Sequence, residues 1–565
     1  MDVSPAPRIA AEDYLDALAA HGIDHLFVNP GTDFAPLIEA FARAQKGNRL
    51  VPKPMVVPHE HAAVAMAHAY TLVTGRPQAV MLHVNVGTAN AINALIDASR
   101  DRVPMLLTSG RTPYTESGSS GSRSVYIHWA QEMFDQAGML REFVKWDYEL
   151  RRGDQAFAAV ARGMEVAQTS PTGPVYLSLP REVLGEEVDE PAPGAHAPRA
   201  RPASPKPAGS DVEQLAKMIA GARLPLLITG QVGRDPGEAV LLTRIAEKFP
   251  LAVTPFNPRH FAISANSPMF QGTGAGTLLQ EADLIIVLES DVPWIPSREC
   301  PAPGAKVVQI GEDPMYQRTP MRSFPSDLTI TTGTLALLEA LELALATHLN
   351  DAAVATRKQA LSDRSARLHA GWQAEIAKAG ADEKITLPWV NHCLRAIIDD
   401  DTLVVNEYSF RQEYCPLDHP GSLFSVGPAG GLGWGLPAAL GLKLAAPEKF
   451  VLALLGDGAY MFANPTACHF MASTQNLPTL SVIYNNALYG AVRRATLDMY
   501  PRGAAAEADG RLLADLENPP FEKIIEAHGG HGERVEKPAD LPAALKRAAA
   551  AVRGGRQALV NVICR

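Results

Sequence analysis

Residues 451–490 read VLALLGDGAYMFANPTACHFMASTQNLPTLSVIYNNALYG. An apolar run leads into Gly-Asp-Gly, then a helix-length stretch, a second apolar run, and a polar turn containing Asn485 and Asn486. Strand, turn, helix, strand, turn is an order that places both turns at the same carboxyl edge of a parallel sheet, where open α/β folds hold their ligands. Asp457 and Asn486 are therefore expected to converge. A carboxylate and an amide oxygen are hard donors suited to Mg²⁺, an ion that keeps few protein ligands and completes its octahedron with water and phosphate oxygens. Gly456 and Gly458 would let the backbone approach those phosphates. Either turn alone is an ordinary loop; together at one edge they define a site.

The rest of the chain bounds the setting of that site. A length of 565 residues is too great for one ordinary core and suggests about three or four domains. With 47% hydrophobic and 20% charged residues, the composition is that of a globular protein. The formal charge of -10, without clusters of Lys and Arg, excludes a nucleic-acid footprint. Cys300, Cys393, Cys415, Cys468 and Cys564 are scattered, with no spacing for zinc or a redox dithiol, and fit a reducing cytoplasm. Acidic residues interrupt the N-terminal segment where a signal peptide needs an apolar core, and no run approaches the roughly 18 apolar residues of a membrane span.

Taken in order, the pattern predicts a helix over 10–21, strands at 25–28 and 55–57, a helix from Glu60 through Tyr70, a strand at 79–83, a helix headed by Asn85 to Asn90, and a strand at 103–109. The first unit closes near 174–183. Dense proline over 186–210 predicts an extended tether. A second alternating unit follows, with strands at 224–229, 251–254, 282–288 and 306–310 and a helix over 239–249. A long helical connection is expected over 334–363, and a third unit from about Leu387, ending in a helix at 541–552 and a strand at 557–564. The expected fold is α/β, with three doubly wound parallel-sheet domains at 1–185, 211–345 and 386–565, and a helical connection over 346–385.

The spacing of the GDG turn and the Asn-Asn-x-x-Tyr-Gly end resembles the diphosphate-binding motif of thiamine diphosphate enzymes. His59-Glu60-His61-Ala62-Ala63 resembles the pattern that, in the 2-oxoacid decarboxylase and acetohydroxyacid synthase superfamily, supplies the glutamate bonded to the cofactor's aminopyrimidine. The resemblance implies a pyrimidine-binding first domain, a central domain and a diphosphate-binding third domain. Thiamine diphosphate and Mg²⁺ are the cofactors it implies. Asp457, Asn486 and the carbonyl of Leu488 would be the metal ligands. Ser409, Gly430, Gly431, Leu432, Gly456, Gly458, Ala459, Tyr489 and Gly490 would hold the rest of the cofactor, Leu432 as the wedge between its rings. Downstream of Glu60 the chain departs from the family pattern at Ala67-His68-Ala69-Tyr70-Thr71, and His68 is read as structural. The span from Asp457 to Asn486 is longer than the family's by about two residues, so Asn464 stays unassigned.

Within the superfamily the first domain is most similar to the benzoylformate decarboxylase group, through Asn29-Pro30-Gly31-Thr32 and through His83 followed by Gly87-Thr88-Ala89-Asn90. The resemblance implies His83 as a proton donor or acceptor and Thr32 as a hydroxyl contact for the substrate carboxylate. That group's second histidine comes from its central domain, and Glu289 to Pro301 holds none; Trp294 and Ile295 occupy the neighbourhood. The implied reaction is non-oxidative decarboxylation of a 2-oxoacid, with substantial carboligation of the acyl fragment to an aldehyde or ketone. Alternatives are an acetolactate-synthase-like enzyme, echoed by Gln131-Glu132, and a non-catalytic cofactor binder. Gly230-Gln231-Val232-Gly233 lacks a dinucleotide fingerprint, so the central domain is expected to be free of flavin. A homodimer or homotetramer with sites at the subunit interface is implied. Donor and acceptor identity are left open, with pocket size expected to be set around Thr32, Trp294 and Tyr460.

Overall fold

The computed structural model describes residues 7–191, 197, 200, 202–348 and 351–564. It contains three parallel sheets. The first is built from β1 (His25–Asn29), β2 (Lys53–Val56), β3 (Gln78–Leu82), β4 (Met105–Arg111), β5 (Asp147–Glu149) and β6 (Val175–Pro180), in the order β2-β1-β3-β4-β6-β5. The central sheet has β7 (Pro225–Thr229), β8 (Ala252–Pro255), β9 (Leu284–Leu288), β10 (Lys306–Gly311) and β11 (Leu328–Thr331), in the order β11-β10-β9-β7-β8. The third has β12 (Thr402–Glu407), β13 (Leu423–Ser425), β14 (Phe450–Gly456), β15 (Leu480–Asn485), β16 (His531–Val535) and β17 (Ala558–Ile563), in the order β13-β12-β14-β15-β17-β16. Each sheet has a reversal of winding between neighbouring inner strands, at β1 and β3, β7 and β9, or β12 and β14, and such a reversal opens a crevice at the carboxyl edge. Central strands such as LIIVL of β9 are buried along their whole length, as strands covered on both faces must be.

By packing, the chain forms two compact units. One comprises residues 1–203, 427–448 and 459–477, the other residues 204–426, 449–458 and 478–565. In the first unit the helix Glu60–Thr74 is buried from His61 through Thr71, because its alanines allow a second helix, Gly435–Ala445, to lie against it. Gly441 marks the closest approach: a Cβ there would stand 2.3 Å from the carbonyl oxygen of Met66. The Glu60–Thr74 helix stops at Gly75, whose φ of 66° lets its N–H cap the carbonyl of Thr71 (2.8 Å).

Two expectations change here. The helical connection extends beyond the expected 334–363, with helix described over Thr334–His348 and Asp351–Gly380 on either side of residues 349–350, and Leu345 and Leu361 both enter the central core. The tether over 186–210 falls partly outside the described residues, but its start is paired: Ala10 N–H donates to Glu186 O and Val188 N–H to Arg8 O, both at 3.0 Å. No helix among the described residues is long and apolar enough to cross a membrane.

Candidate active site

At the first crevice, β1 and β3 are neighbours in register, Asn29 opposite Leu82, so the residues that follow each strand meet. The His83 imidazole donates from Nδ1 to Asp33 Oδ1 at 2.5 Å, and Asp33 is only 2% exposed. Gly31 is required beside it, since a Cβ at this position would lie 2.0 Å from His83 Nδ1. With Nδ1 turned to Asp33, the ring presents Nε2 on its other side, where the Gln131 amide nitrogen lies 3.4 Å away. Thr32 is exposed, and its Oγ1 lies 3.2 Å from Nε2 of the buried His128. Arg181 ties this corner together, donating to the carbonyls of Thr32, Gly121 and Ser122.

Glu60 heads its helix, and its Oε2 accepts from the Asn90 amide at 2.5 Å. Gly87 lies beside it, 3.4 Å from Glu60 Oε1 to an added Cβ, so the family-like residues Glu60, Gly87 and Asn90 are gathered in one place. Asn90 belongs to the helix Val84–Arg100, which together with the helix Glu60–Thr74 holds the glycine-rich loop one residue at a time. Gly431 N–H donates to Asp97 Oδ1 (3.0 Å), and the Asn93 amide donates to Leu432 O (3.0 Å). His61 Nε2 donates to Gly433 O (2.9 Å), while Trp434 Nε1 donates to His68 Nδ1 (3.2 Å). His68 in turn donates from Nε2 to Asp101, 3.1 Å away, with both side chains fully buried. Burial also lowers the His61 imidazole from its usual range, keeping it neutral and able to serve as this fixed donor. Gly430 has φ 71°, a conformation that favours glycine.

The third crevice presents Asp457 directly after β14. It is 3% exposed; Oδ1 accepts from Gly458 N–H and Oδ2 from the Asn518 amide, both at 2.8 Å. Desolvation raises its carboxyl above the usual range, against the opposing pull of Gly458, Asn518 and the N–H groups of Ala487 and Leu488. The turn after β15 thus reaches Asp457, while Asn486 Oδ1 accepts from Leu488 N–H at 3.0 Å. An antiparallel bridge of Leu488 with Asp515 uses the flanking bonds Tyr489 N–H to Ala514 O (2.7 Å) and Leu516 N–H to Ala487 O (2.9 Å). The carbonyl of Leu488 itself therefore points away from that bridge. An added Cβ on Gly456 would meet nothing within 4 Å, whereas one on Gly458 would lie 3.0 Å from the Tyr489 ring. A desolvated carboxylate, an amide oxygen and a directed carbonyl beside open glycine backbone suit a hard divalent cation carrying a diphosphate. Ala459 is buried in the first turn of the helix Asp457–Phe462, Gly490 begins the helix Gly490–Met499, and Ser409 is buried with its N–H on Asn406 Oδ1 (3.0 Å). Among the described residues no three His, Cys, Asp or Glu side chains form a metal cluster.

Two assignments need correction. Trp294, expected near the substrate, is 2% exposed in the central core, edge-on to Phe324 at 5.0 Å, because its ring is the largest apolar surface of that segment. Tyr460, expected in the same role, is fully buried with its hydroxyl 2.8 Å from His469 Nε2. The residues that the sequence did not reveal are Asp33, His128 and Asn518, and the polar face Asn93, Asp97 and Asp101. Only Asp33, next to Thr32, stood in a motif already under scrutiny.

Most of these residues lie within two stretches of the chain that match known domain families. Residues 9–139 match the N-terminal TPP binding domain of thiamine pyrophosphate enzymes, and residues 407–562 match the C-terminal TPP binding domain. The chain belongs to the thiamine pyrophosphate enzymes. It is 28% identical over 555 residues to benzoylformate decarboxylase of Pseudomonas aeruginosa, covering 95% of this chain and 96% of that protein. It is 24% identical over 562 residues to the acetolactate synthase large subunit of Haemophilus influenzae, covering 95% and 91%. In fold it is similar to the thiamine diphosphate-dependent 4-hydroxybenzoylformate decarboxylase of Rhodococcus jostii RHA1, with a TM-score of 0.78, 21% identity and 99% of both chains covered.

Proposed function

We propose that this enzyme catalyses thiamine diphosphate- and Mg²⁺-dependent decarboxylation of a 2-oxoacid, with transfer of the acyl fragment to a proton, an aldehyde or a ketone. The observation that carries this reading is the Asp33-backed His83 beside the exposed Thr32, gathered at the same crevice edge as the first domain's family-like motifs. When bound, the cofactor supplies the electron sink for the bond that breaks. Asp457, Asn486 and the Leu488 carbonyl would hold Mg²⁺. Ser409, Gly456, Gly458, Ala459, Tyr489 and Gly490 would hold the diphosphate end, and Gly430, Gly431 and Leu432 the rings. Glu60 would keep a carboxylate against the aminopyrimidine, with Asn90 fixing its orientation. Thr32 would donate its hydroxyl to the substrate carboxylate, and His83 would give or take a proton at Nε2 while Asp33 keeps Nδ1 occupied.

The absence of a histidine in Glu289 to Pro301 leaves one proton-transfer group fewer and favours substantial carboligation beside decarboxylation. Decarboxylation and carboligation therefore stand side by side. An acetolactate-synthase-like reaction is the second reading, favoured by the placement of Gln131 against His83. The exposed Tyr126, Trp129 and Phe134 support a homodimer or homotetramer with sites at the subunit interface, and five free cysteines support a cytoplasmic setting. The test is a panel of 2-oxoacids, with thiamine diphosphate and Mg²⁺, scored for carbon dioxide, aldehyde and acyloin together. Carbon dioxide release from at least one acid is expected; none across aromatic, branched and short acids would overturn the proposal.

A further inference from the structure

The Thr32 corner carries more than the family resemblance assigns to it. His128 lies on a short helix, Ile127–Ala130, in the segment that follows β4, and is 2% exposed. Its two nitrogens have different partners. Ser124 N–H donates to Nδ1 at 3.2 Å, and Nε2 faces Thr32 Oγ1 at 3.2 Å. A backbone N–H can only donate, so Nδ1 must be bare and the ring proton must sit on Nε2. Thr32 Oγ1 is then the acceptor of that proton, and the hydroxyl's own hydrogen is left to point outward, where Thr32 is exposed. The arrangement is a directed chain, from the Ser124 amide through the imidazole to the hydroxyl, in which each bond polarises the next.

The supports of this chain are equally specific. Arg181, 8% exposed, donates from Nε to Gly121 O (2.7 Å) and from Nη2 to Ser122 O and Ser124 Oγ (3.4 Å), which fixes the turn that bears the Ser124 amide. The same guanidinium donates from Nη1 to Thr32 O at 3.3 Å, so both ends of the chain are tied to one side chain. Burial, and after it the positive charge of Arg181, lowers His128 from its usual range and favours the neutral ring that the bonding pattern requires.

We infer that His128 is a positioning residue that turns Thr32 into an obligatory outward donor, and that this corner therefore selects substrates presenting a carboxylate oxygen there. The inference rests on the 2-oxoacid reading for its substrate, but not for its geometry, and the two are separable by experiment. The structural arm is long-range ¹H–¹⁵N NMR of the full-length protein carrying ¹⁵N-histidine, with His128 assigned by the signal lost in His128→Phe. The Nε2–H tautomer is expected at pH 7.5; the Nδ1–H tautomer, or an imidazolium, would overturn the inference even if every 2-oxoacid were turned over. The kinetic arm uses Thr32→Val, a change at an exposed position that leaves packing intact, together with His128→Phe and the double variant. Each single change should raise KM for the preferred 2-oxoacid on the order of 10-fold, the size of one hydrogen bond to a charged group, with kcat changed less. The double variant should be no worse than either single one, and Thr32→Ser and His128→Gln, which keep a hydroxyl and an N–H donor, should recover most of the loss. Additive defects, or loss confined to kcat, would overturn the positioning role. If no acid is turned over, the function proposed above fails while the tautomer measurement still decides the geometry.

Discussion

Replacing Gly441 by alanine tests whether the helix pair that carries the glycine-rich loop is as close as the structure places it. In an exposed helix Gly→Ala stabilises by about 1 kcal/mol. Here the new methyl group would stand 2.3 Å from Met66 O and 2.9 Å from Met66 Cα, backbone atoms that no rotamer change can move aside. Restoring ordinary contact requires the helices to separate by about 1 Å, and such overpacking costs about 1–3 kcal/mol, with rigid backbone placing this site in the upper half. After the propensity gain, a net loss of about 1–2 kcal/mol remains. The effect should be local, and hydrogen exchange followed by mass spectrometry is the suitable assay. Peptides covering residues 60–74 and 427–445 should exchange roughly 5–30-fold faster, while a peptide covering β7 is unchanged. Because Gly431 through Trp434 are bonded to the same packing unit, thiamine diphosphate should also bind more weakly. Slower exchange with unchanged cofactor affinity would mean that propensity, not contact, governs the position, and the close approach would have to be abandoned.

Glu60→Gln should lower turnover by roughly 10²–10⁴-fold, the usual worth of an acid–base group, while cofactor titration stays near wild type; unchanged turnover would remove Glu60 from the chemistry. Asn518→Ala deprives Asp457 and Asn485 of a shared donor at 2.8 Å to each. Leaving a buried acceptor unpaired costs about 1–3 kcal/mol, so the cofactor-free variant should unfold at lower denaturant concentration and bind thiamine diphosphate with Mg²⁺ less tightly. Glu238, whose Oε2 accepts from Gly233 N–H at 3.1 Å, is pushed up to about 7 by burial, with Glu289 adding to the rise. Its folded form holds the proton more firmly than the unfolded chain, so its contribution is fully present below the ordinary carboxylate range and is lost as pH rises through 7. A shift of this size corresponds to about 3 kcal/mol, reduced to about 2 by the solvent that still reaches this partly buried side chain. Glu238→Gln should therefore match wild type near pH 4.5 and resist denaturant better at pH 8; a gain at the lower pH alone would contradict the assignment.

How much of this was legible depended on where each residue stands relative to a strand. Asp457 and Asn486 follow apolar strands almost immediately, and strand periodicity with the carboxyl-edge rule was enough to group them, whereas Thr32 and His83, also at strand ends, were singled out by the family resemblance. Interior strands were found within a residue or two, as at 306–310 against Lys306–Gly311, whereas the edge strands β5, β11, β13 and β16 were not foreseen. Asn518 and His128 were not legible, because they stand away from any strand end, 61 and 96 positions from Asp457 and Thr32. Trp294 was misread for the converse reason: proximity in sequence to an expected pocket said nothing about which way its ring would turn. Asn93 and Asp97 stand within a helix, away from any strand end, and only tertiary packing gives that face a partner.

The helix Val84–Arg100 carries that face. Asn90, Asn93 and Asp97, with Asp101 just past its end, recur at the three- and four-residue intervals that keep side chains in line. His83 precedes the helix, Asn90 meets Glu60, and Asn93 and Asp97 hold successive residues of the glycine loop. Substitutions along this segment can be absorbed one at a time, but a change in length cannot. Deleting a single residue between Ala91 and Ala94 would swing everything beyond it by about 100° around the axis, taking Asp97 off the loop and Asp101 off His68 while His83 stayed in place. The segment is therefore expected to keep a constant residue count through evolutionary divergence, and length variation should be confined to stretches such as the one after Arg111.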